Sequence, residues 1–271
     1  MKVAELVSKG VHAARERGPL NWARVAWWRR QFVHQRAAHL FLGVFSRFDE
    51  AVASAPKTAP LSYDNPASAR LYLNRLHADE YDYPAIFWIG ESLREGMRSV
   101  ADVGGAVGIK YFAFEEFLRW PEGLRWLVID MPAVAEEGRR FGAERGVPPD
   151  TLAFSDRIAD ADGVDVFYAS GALQYLEKSL PEILAAYSRK PRRLVVNTTP
   201  IHEKWSFFTL NSIGTAYCGY RVMARDEFIA AVEAQGYRLR DSWRNPGKQM
   251  KIIGAPEHSL TYYSGFCFDR I

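Results

Sequence analysis

The stretch that decides the fold runs from Ser99 to Phe117 and reads SVADVGGAVGIKYFAFEEF. Its first five residues are typical of a buried β-strand, and Gly104, Gly105 and Gly108 follow before an amphipathic segment. Glycine lets the backbone turn tightly and approach a ligand closely, and the start of a helix offers free N–H groups. The stretch therefore predicts a strand, a glycine turn and a helix, which either hold a nucleotide-like ligand or simply connect to one another.

Short apolar strands and amphipathic helices alternate from this stretch to the end of the chain. The predicted strands read SVADV, RWLVID, TLAF, VDVFYAS, RRLVVNTT, YRLRDSW and YYSGFCF. A helix is expected from Leu173 to Tyr187, an irregular aromatic insert from Pro200 to Tyr220, and a helix that ends at Gly236. The pattern predicts an α/β fold, with a Rossmann-like, seven-stranded, mostly parallel sheet covered by helices on both faces, in a domain of residues 99–271.

Residues 1–98 have a different character, and we expect them to form a helical N-terminal cap or lid region. Over residues 1–40, Lys and Arg outnumber Asp and Glu, and tryptophans lie among them. These residues predict one or two basic amphipathic helices, broken near Gly18 and Pro19. Such helices could contact an anionic membrane peripherally. We favour a cap whose tryptophans pack on the main domain, because cationic residues on a solvated face are common.

Composition limits the classes of function. The formal net charge of +3 over 271 residues is too small to indicate nucleic-acid binding. The only cysteines, Cys218 and Cys267, form no CxxC pair and no Cys/His cluster with metal-ligand spacing. No apolar run approaches the ~20 residues of a membrane span, and the N-terminus lacks the features of a signal peptide. We expect a cytoplasmic protein with no metal and no nucleic-acid partner.

Acidic residues after the first strands indicate which ligand the turn would hold. The turn reads GGAVG rather than GxGxxG, and Asp102 lies two residues before the first glycine. A carboxylate suits a cationic amino-acid group better than a pyrophosphate, which favours S-adenosylmethionine over a dinucleotide. Asp130, at the end of the second strand, suits the ribose hydroxyls, or else interacts with a helix dipole. Asp156, after the third strand, could accept the adenine amino group or remain solvated.

Four segments in order resemble the successive motifs of class I S-adenosylmethionine-dependent methyltransferases: VADVGGAVG, LVIDMPAV, AFSD and VDVFYASGALQYL. The IDMP piece is similar to small-molecule O-methyltransferases, and most of the chain between residues 40 and 268 resembles a bacterial group of small-molecule methyltransferases. Ala106 departs from this pattern, because the family usually has a glycine there. The departure leaves the path of the loop open.

The resemblance implies a set of cofactor-binding residues at the ends of successive strands. By position these are Asp102, Gly104, Gly105, Gly108, Asp130, Met131, Ser155, Asp156, Ser170 and Gly171. The three glycines would line the methionine part of the cofactor, with the first acid near its amino group. Asp130 would bind the ribose, and the side chain of Met131 would pack on adenine. Ser155 and Asp156 would meet the adenine edge. Ser170 and Gly171 would lie beneath the sulfonium.

Few residues suggest how an acceptor would be activated. His202, after the fifth strand, could accept a substrate proton, or it could be an ordinary loop histidine. Gln174 and Tyr175 could hydrogen-bond the substrate or the cofactor, and Tyr111 or Tyr175 could place an aromatic ring near the sulfonium. The alternative for these residues is packing at the start of a helix. The O-methyltransferases that the chain partly resembles place a catalytic histidine elsewhere, and no histidine here matches that position.

Three functions fit these patterns. The first is methyl transfer to a small molecule, such as a sugar or a natural-product intermediate. The second is cyclisation of the cofactor itself, which would form azetidine-2-carboxylic acid and methylthioadenosine. The third is a non-catalytic, membrane-associated scaffold, which the intact glycines and Asp130 disfavour.

Overall fold

The computed structural model describes residues 20–34, 38–61 and 76–271. Its α-helices are α1 (Leu20–Val33), α2 (Phe48–Ala53), α3 (Tyr83–Arg94), α4 (Ile109–Phe114), α5 (Pro132–Glu144), α6 (Leu180–Ala185) and α7 (Arg225–Glu233). Short 3-10 helices span Ile158–Ala161, Leu173–Tyr175 and Pro256–His258. Its strands are β1 (Leu40–Phe45), β2 (Ser99–Val103), β3 (Arg125–Ile129), β4 (Leu152–Ser155), β5 (Val166–Ser170), β6 (Arg193–Thr199), β7 (Ile201–His202), β8 (Phe207–Ser212), β9 (Tyr217–Ala224), β10 (Tyr237–Asn245) and β11 (Tyr263–Arg270).

Seven strands form the main sheet in the order β10-β11-β6-β5-β2-β3-β4. The five strands from β6 to β4 are parallel, and β11 runs antiparallel to both β6 and β10. The chain builds outward from β2 in one direction through β3 and β4, and in the other through β5 and β6. The carboxyl ends of β2 and β5 therefore flank the point where strand order reverses, which is where open α/β sheets bind ligands. The predicted fold class is confirmed.

Both faces of the main sheet are covered by helices, because its strands are apolar on both sides. Along β2, Ala101 and Val103 pack with residues of α6 and α7, whereas Val100 packs with residues of α3 and α4. Strand alternation places Asp102 on the same face as Val100. This face also contains Trp126, and a carboxylate is thus buried among aromatic side chains.

The insert after β6 is a second sheet, and the prediction of an irregular segment from Pro200 to Tyr220 is wrong. Four strands pair in the order β1-β8-β9-β7. In the antiparallel pair of β1 and β8, Leu40 lies opposite Ser212, so the first third of the chain supplies an edge strand. We call this the small sheet. It packs through Phe207 and Tyr220 on the segment that joins β10 to β11.

The helix predicted from Leu173 to Tyr187 is also wrong. A 3-10 helix ends at Tyr175, and α6 begins only at Leu180, after the capping box of Ser179 and Glu182. A proline at the start of α6 favours this interruption.

The N-terminal region contains the helices α1, α2 and α3 and the strand β1. Residues 1–19, part of the predicted basic helices, lie outside the described residues, as do residues 62–75 of the predicted helical segment. The boundary between residues 98 and 99 stays a prediction. No helix in the described ranges is long and apolar enough to cross a membrane.

Candidate functional site

The glycine loop, residues 104–108, joins β2 to α4 and needs glycine at its first and last positions. Gly104 and Gly108 have φ values of 73° and 87°, in the left-handed region that favours glycine. A Cβ at Gly104 would also overlap the Cβ of Ala172, in the segment that follows β5. The loop is therefore in contact with the end of β5, across the point where strand order reverses.

Ala106 follows the same tight path without being glycine. Its φ is 52°, and its N–H donates to Oδ2 of Asp130 at 2.8 Å. The other carboxylate oxygen of Asp130 accepts the N–H of Met131 at 2.8 Å. Asp130 thus connects the glycine loop to the start of α5. The loop keeps its tight turn although residue 106 is alanine and not glycine.

Asp102 lies beneath the loop and is 1% exposed. A Cβ at Gly105 would overlap its carboxylate, which accepts the indole N–H of Trp126 at 3.2 Å. Burial raises the pKa of Asp102 to about 7, and the hydrogen bond from Trp126 and the neighbouring Lys110 oppose this rise. Lys110 forms an ion pair with Asp82 at 2.6 Å. The loop therefore rests on a carboxylate whose charge state changes near neutral pH.

The residues predicted to contact adenine lie at the ends of β3 and β4. Ile129 and Ser155 are neighbours in these parallel strands, and Met131 is 36% exposed just beyond Asp130. The hydroxyl of Ser155 donates to Asp160 at 2.6 Å. Asp156 is exposed. The strands bring these residues to the same edge of the sheet as the glycine loop.

Asn197 organises the end of β5 and was not found from the sequence. Its amide N–H groups donate to the Tyr81 carbonyl at 2.9 Å and to the Ser170 hydroxyl at 3.3 Å. Its carbonyl oxygen accepts from Trp243 Nε1 and from Asn245 Nδ2, both at 3.0 Å. Asn197 thus joins β5, β10 and the segment before α3, although a lone asparagine in a strand carries no sequence signal for this role.

Gly171 and Gln174 lie immediately after β5. Gly171 has a φ of 70°, and a Cβ there would stand 3.9 Å from Nε2 of Gln174. Gln174 is 4% exposed, and its carbonyl oxygen has no hydrogen-bond partner among the described residues. Its side chain interacts with the hydroxyl of Tyr220, which pairs with that of Tyr263 at 2.8 Å. The structure therefore places Gln174 in a buried polar cluster next to the glycine loop.

Tyr175 connects the main sheet to the small sheet. Its hydroxyl donates to Oδ1 of Asn211 at 3.2 Å, and its ring meets the edge of Tyr220 with a centroid distance of 5.1 Å. Tyr220 and Tyr263 were not singled out from the sequence as site residues. They come from β9 and β11, and only the folded chain brings them to Gln174.

His202 does not have the geometry expected of a base. It is 8% exposed, and its Nδ1 accepts the backbone N–H groups of Lys204 and Trp205, both at 3.0 Å. Its Nε2 donates to the Glu257 carbonyl at 2.9 Å, which leaves neither nitrogen for a substrate proton. The imidazole therefore joins β7 to the segment between β10 and β11, and the structure corrects the predicted catalytic role to a structural one.

Tyr111 likewise occupies the core instead of a ligand site. It is buried, and its ring stacks on Trp120 at 5.3 Å and meets Trp126 at 6.0 Å. These aromatic rings cover the ring of Tyr111, so its contacts do not support the predicted position near a sulfonium. Among the described residues, no group of three or more His, Cys, Asp or Glu side chains could hold a metal ion.

Comparison with known proteins shows likeness in fold. No protein-family model and no curated protein sequence matches the chain. The structure of OxaC in complex with SAH and oxaline is similar to this chain, with a TM-score of 0.50 and 15% sequence identity, over 82% of this chain and 54% of that chain. The mitomycin 7-O-methyltransferase MmcR is similar with a TM-score of 0.47 and 17% sequence identity, over 96% of this chain and 71% of that chain. An S-adenosylmethionine-dependent methyltransferase from Clostridium acetobutylicum is similar with a TM-score of 0.48 and 11% sequence identity, over 73% of this chain and 95% of that chain.

Proposed function

We propose that this chain, which has the fold of class I S-adenosylmethionine-dependent methyltransferases, is an enzyme of that kind and methylates a small molecule. The observation that carries the proposal is the contact between the glycine loop and Asp130, at 2.8 Å from Ala106 N to the carboxylate. This contact places a carboxylate, a glycine turn and a helix start together at the carboxyl edge of the sheet, at the point of strand reversal.

The residues at this edge fit the proposed cofactor. Gly104, Gly105 and Gly108 would line its methionine part, and Asp102 beneath them would favour its ammonium group. The remaining contacts would come from Asp130 and Met131 to the ribose and adenine, from Ser155 and Asp156 to the adenine edge, and from Ser170 and Gly171 to the sulfonium side. When bound, S-adenosylmethionine supplies a methyl group on a sulfonium. The chain's own residues would orient the acceptor and exclude water.

Solved neighbours support a small-molecule acceptor. The OxaC structure contains oxaline, and a didemethyltoxoflavin methyltransferase from Burkholderia thailandensis contains its substrate. The two cysteines of the chain, Cys218 and Cys267, are free thiols, which supports a reducing cytoplasm as the compartment. Peripheral membrane contact through the basic N-terminus stays a prediction, for which α1 offers an exposed Trp27.

The test is calorimetric titration of the protein with S-adenosylhomocysteine. We expect binding, and we expect Asp130→Ala to weaken it by about 1 to 3 kcal/mol, because hydrogen bonds to a charged group are lost. Asp226→Ala, at an exposed acid in the first turn of α7, is the matched control and should bind like the wild type. Absence of wild-type binding would refute the proposed function, and unchanged binding by Asp130→Ala would remove Asp130 from the site.

Products separate methyl transfer from cofactor cyclisation. The protein is incubated with S-adenosylmethionine and no acceptor, and the nucleosides are identified by mass spectrometry. Intact cofactor is expected from an acceptor-dependent methyltransferase. Methylthioadenosine together with azetidine-2-carboxylic acid would establish the cyclase instead.

A further inference from the structure

We infer that Gln174, Tyr220 and Tyr263 form the acceptor subsite, and that the substrate presents a neutral hydroxyl or N–H group to the side-chain carbonyl of Gln174. The inference rests on the proposed function and adds the residues and the chemical class of the acceptor.

The first observation is the contrast between Gln174 and the other buried amides nearby. Asn197 uses both its N–H groups and its carbonyl oxygen within the protein. Asn211 accepts from Tyr175 and donates to the Leu40 carbonyl at 3.1 Å. Gln174 is 4% exposed, yet its carbonyl oxygen has no hydrogen-bond partner in the described part of the chain. A buried acceptor left unpaired is costly, so it marks a group that serves a ligand.

The second observation is the position of Gln174. Its side-chain amide lies 3.9 Å from where a Cβ of Gly171 would stand. The next residue, Ala172, is the one that a Cβ at Gly104 would overlap. Gln174 is therefore linked to the glycine loop through Ala172, and the 3-10 helix that contains it, Leu173–Tyr175, contacts β9 of the small sheet.

The two tyrosines define the polarity of the subsite. Tyr220 and Tyr263 are buried, and burial raises the pKa of both phenols above their usual value. Both hydroxyls therefore keep their protons at neutral pH. One proton is shared in the 2.8 Å bond between them, and the other can be donated to a ligand. The cluster thus offers an acceptor in Gln174 and a donor in the tyrosine pair.

This arrangement selects among acceptors. A neutral hydroxyl or N–H group can donate to the Gln174 carbonyl, while a neighbouring oxygen of the substrate accepts from a tyrosine. A carboxylate acceptor would face the carbonyl oxygen of Gln174 with its own negative charge. Placing two acceptors in contact in a buried site leaves both unsatisfied.

The test uses phenol and anisole, which differ in that phenol has an O–H donor and anisole has a methyl ether. Each is titrated into 15N-labelled protein, with and without S-adenosylhomocysteine, and the side-chain amide resonances of Gln174 are followed. These resonances are assigned by their absence from Gln174→Leu. We expect phenol to shift them and to bind at least about ten-fold tighter than anisole, a preference that Gln174→Leu abolishes.

Controls separate a binding role from a structural one. Gln174→Leu removes an unpaired carbonyl together with the contact between its amide and the Tyr220 hydroxyl, so its melting temperature should stay close to that of the wild type. Asn211→Leu removes a paired amide, so it should lower the melting temperature and leave the phenol preference intact. Equal binding of phenol and anisole to the wild type would overturn the inference. So would a ten-fold loss of S-adenosylhomocysteine affinity in Gln174→Leu, which would assign the residue to the cofactor. Failure of the wild type to bind S-adenosylhomocysteine bears instead on the proposed function.

Discussion

At the scale of single residues, Ala106 shows how the glycine loop is held. An L-residue with a side chain is strained at its φ of 52°, because its Cβ crowds the following carbonyl oxygen. The hydrogen bond from its N–H to Asp130 holds it there. Thr198, at the end of β6, has a φ of 51° and is β-branched, which makes it a second strained position. Both residues lie at the carboxyl edge of the main sheet, where backbone strain often accompanies function.

Ala106→Gly should stabilise the protein by about 1 kcal/mol, because glycine relieves the left-handed strain at a modest entropic cost. Urea unfolding measures the change in the free energy of unfolding. Ala113→Gly, inside α4, is the control and should destabilise the protein by about 1 kcal/mol, because glycine is a poor helix former. A loss of stability in Ala106→Gly would mean that the loop relaxes in solution.

The turn after β2 and the position of Asp130 beside it could be predicted from the sequence, because both depend on local geometry. Gly104 and Gly108 adopt the positive φ values that a tight strand-to-helix turn requires, and Asp130 reaches the loop because it ends the next parallel strand. The role of His202 could not be predicted in this way, because the imidazole is bound by the carbonyl of Glu257, which is 55 residues away in sequence. A histidine near a strand end looks the same in sequence whether it serves a substrate or a loop.

At the scale of elements, Asn197 joins parts of the chain that are distant in sequence. It is fully buried, and it binds the segment before α3 through Tyr81 and the strand β10 through Trp243 and Asn245. Each of these groups would be left without its partner if the amide were removed. The ends of β5 and β6 and the start of α3 therefore depend on a single side chain.

Asn197→Leu should destabilise the protein by about 3 to 5 kcal/mol, because several buried polar groups lose their partners together. Hydrogen exchange should also rise at residues 79–83, where the Tyr81 carbonyl is released. Trp243→Phe removes one donor but keeps the bond to Tyr81, so it should cost less and leave exchange at residues 79–83 unchanged. Equal exchange in the two variants would show that this segment is held by other contacts.

The small sheet marks the limit of prediction at this scale. The five parallel strands of the main sheet were recognised because each contains a short apolar run next to turn residues. The strands of the insert mix aromatic and polar residues, as in FFTLNS of β8. Their partner β1 lies more than 150 residues earlier in the chain, with Leu40 opposite Ser212. A pairing over that distance leaves no periodicity in either segment.

At the scale of the whole molecule, the charge on Asp102 connects stability to pH. Burial raises its pKa to about 7, from 3.8 in the unfolded chain; the hydrogen bond from Trp126 and the charge of Lys110 lower the pKa, and Asp130 and Asp82 raise it. The folded state therefore binds a proton that the unfolded state releases. Stability from this group is fully present below about pH 4 and is lost as the pH rises through about 7.

Asp102→Asn removes this ionisation while keeping an oxygen to accept the Trp126 N–H. Between pH 5 and pH 8, the free energy of unfolding of the wild type should fall by about 2 to 3 kcal/mol relative to that of the variant, because ionisation of the buried carboxyl is unfavourable. Urea unfolding at both pH values measures this difference. Asp226→Asn, at an exposed acid, should differ from the wild type by the same amount at both pH values.

The proposed cofactor carries an ammonium group, so its binding should favour the ionised carboxylate of Asp102. With S-adenosylhomocysteine bound, the free energy of unfolding of the wild type should therefore change less between pH 5 and pH 8. The pH dependence of this free energy in Asp102→Asn should be the same with and without the ligand. A difference between wild type and Asp102→Asn that does not change with pH would show that Asp102 stays ionised in the folded protein throughout this range.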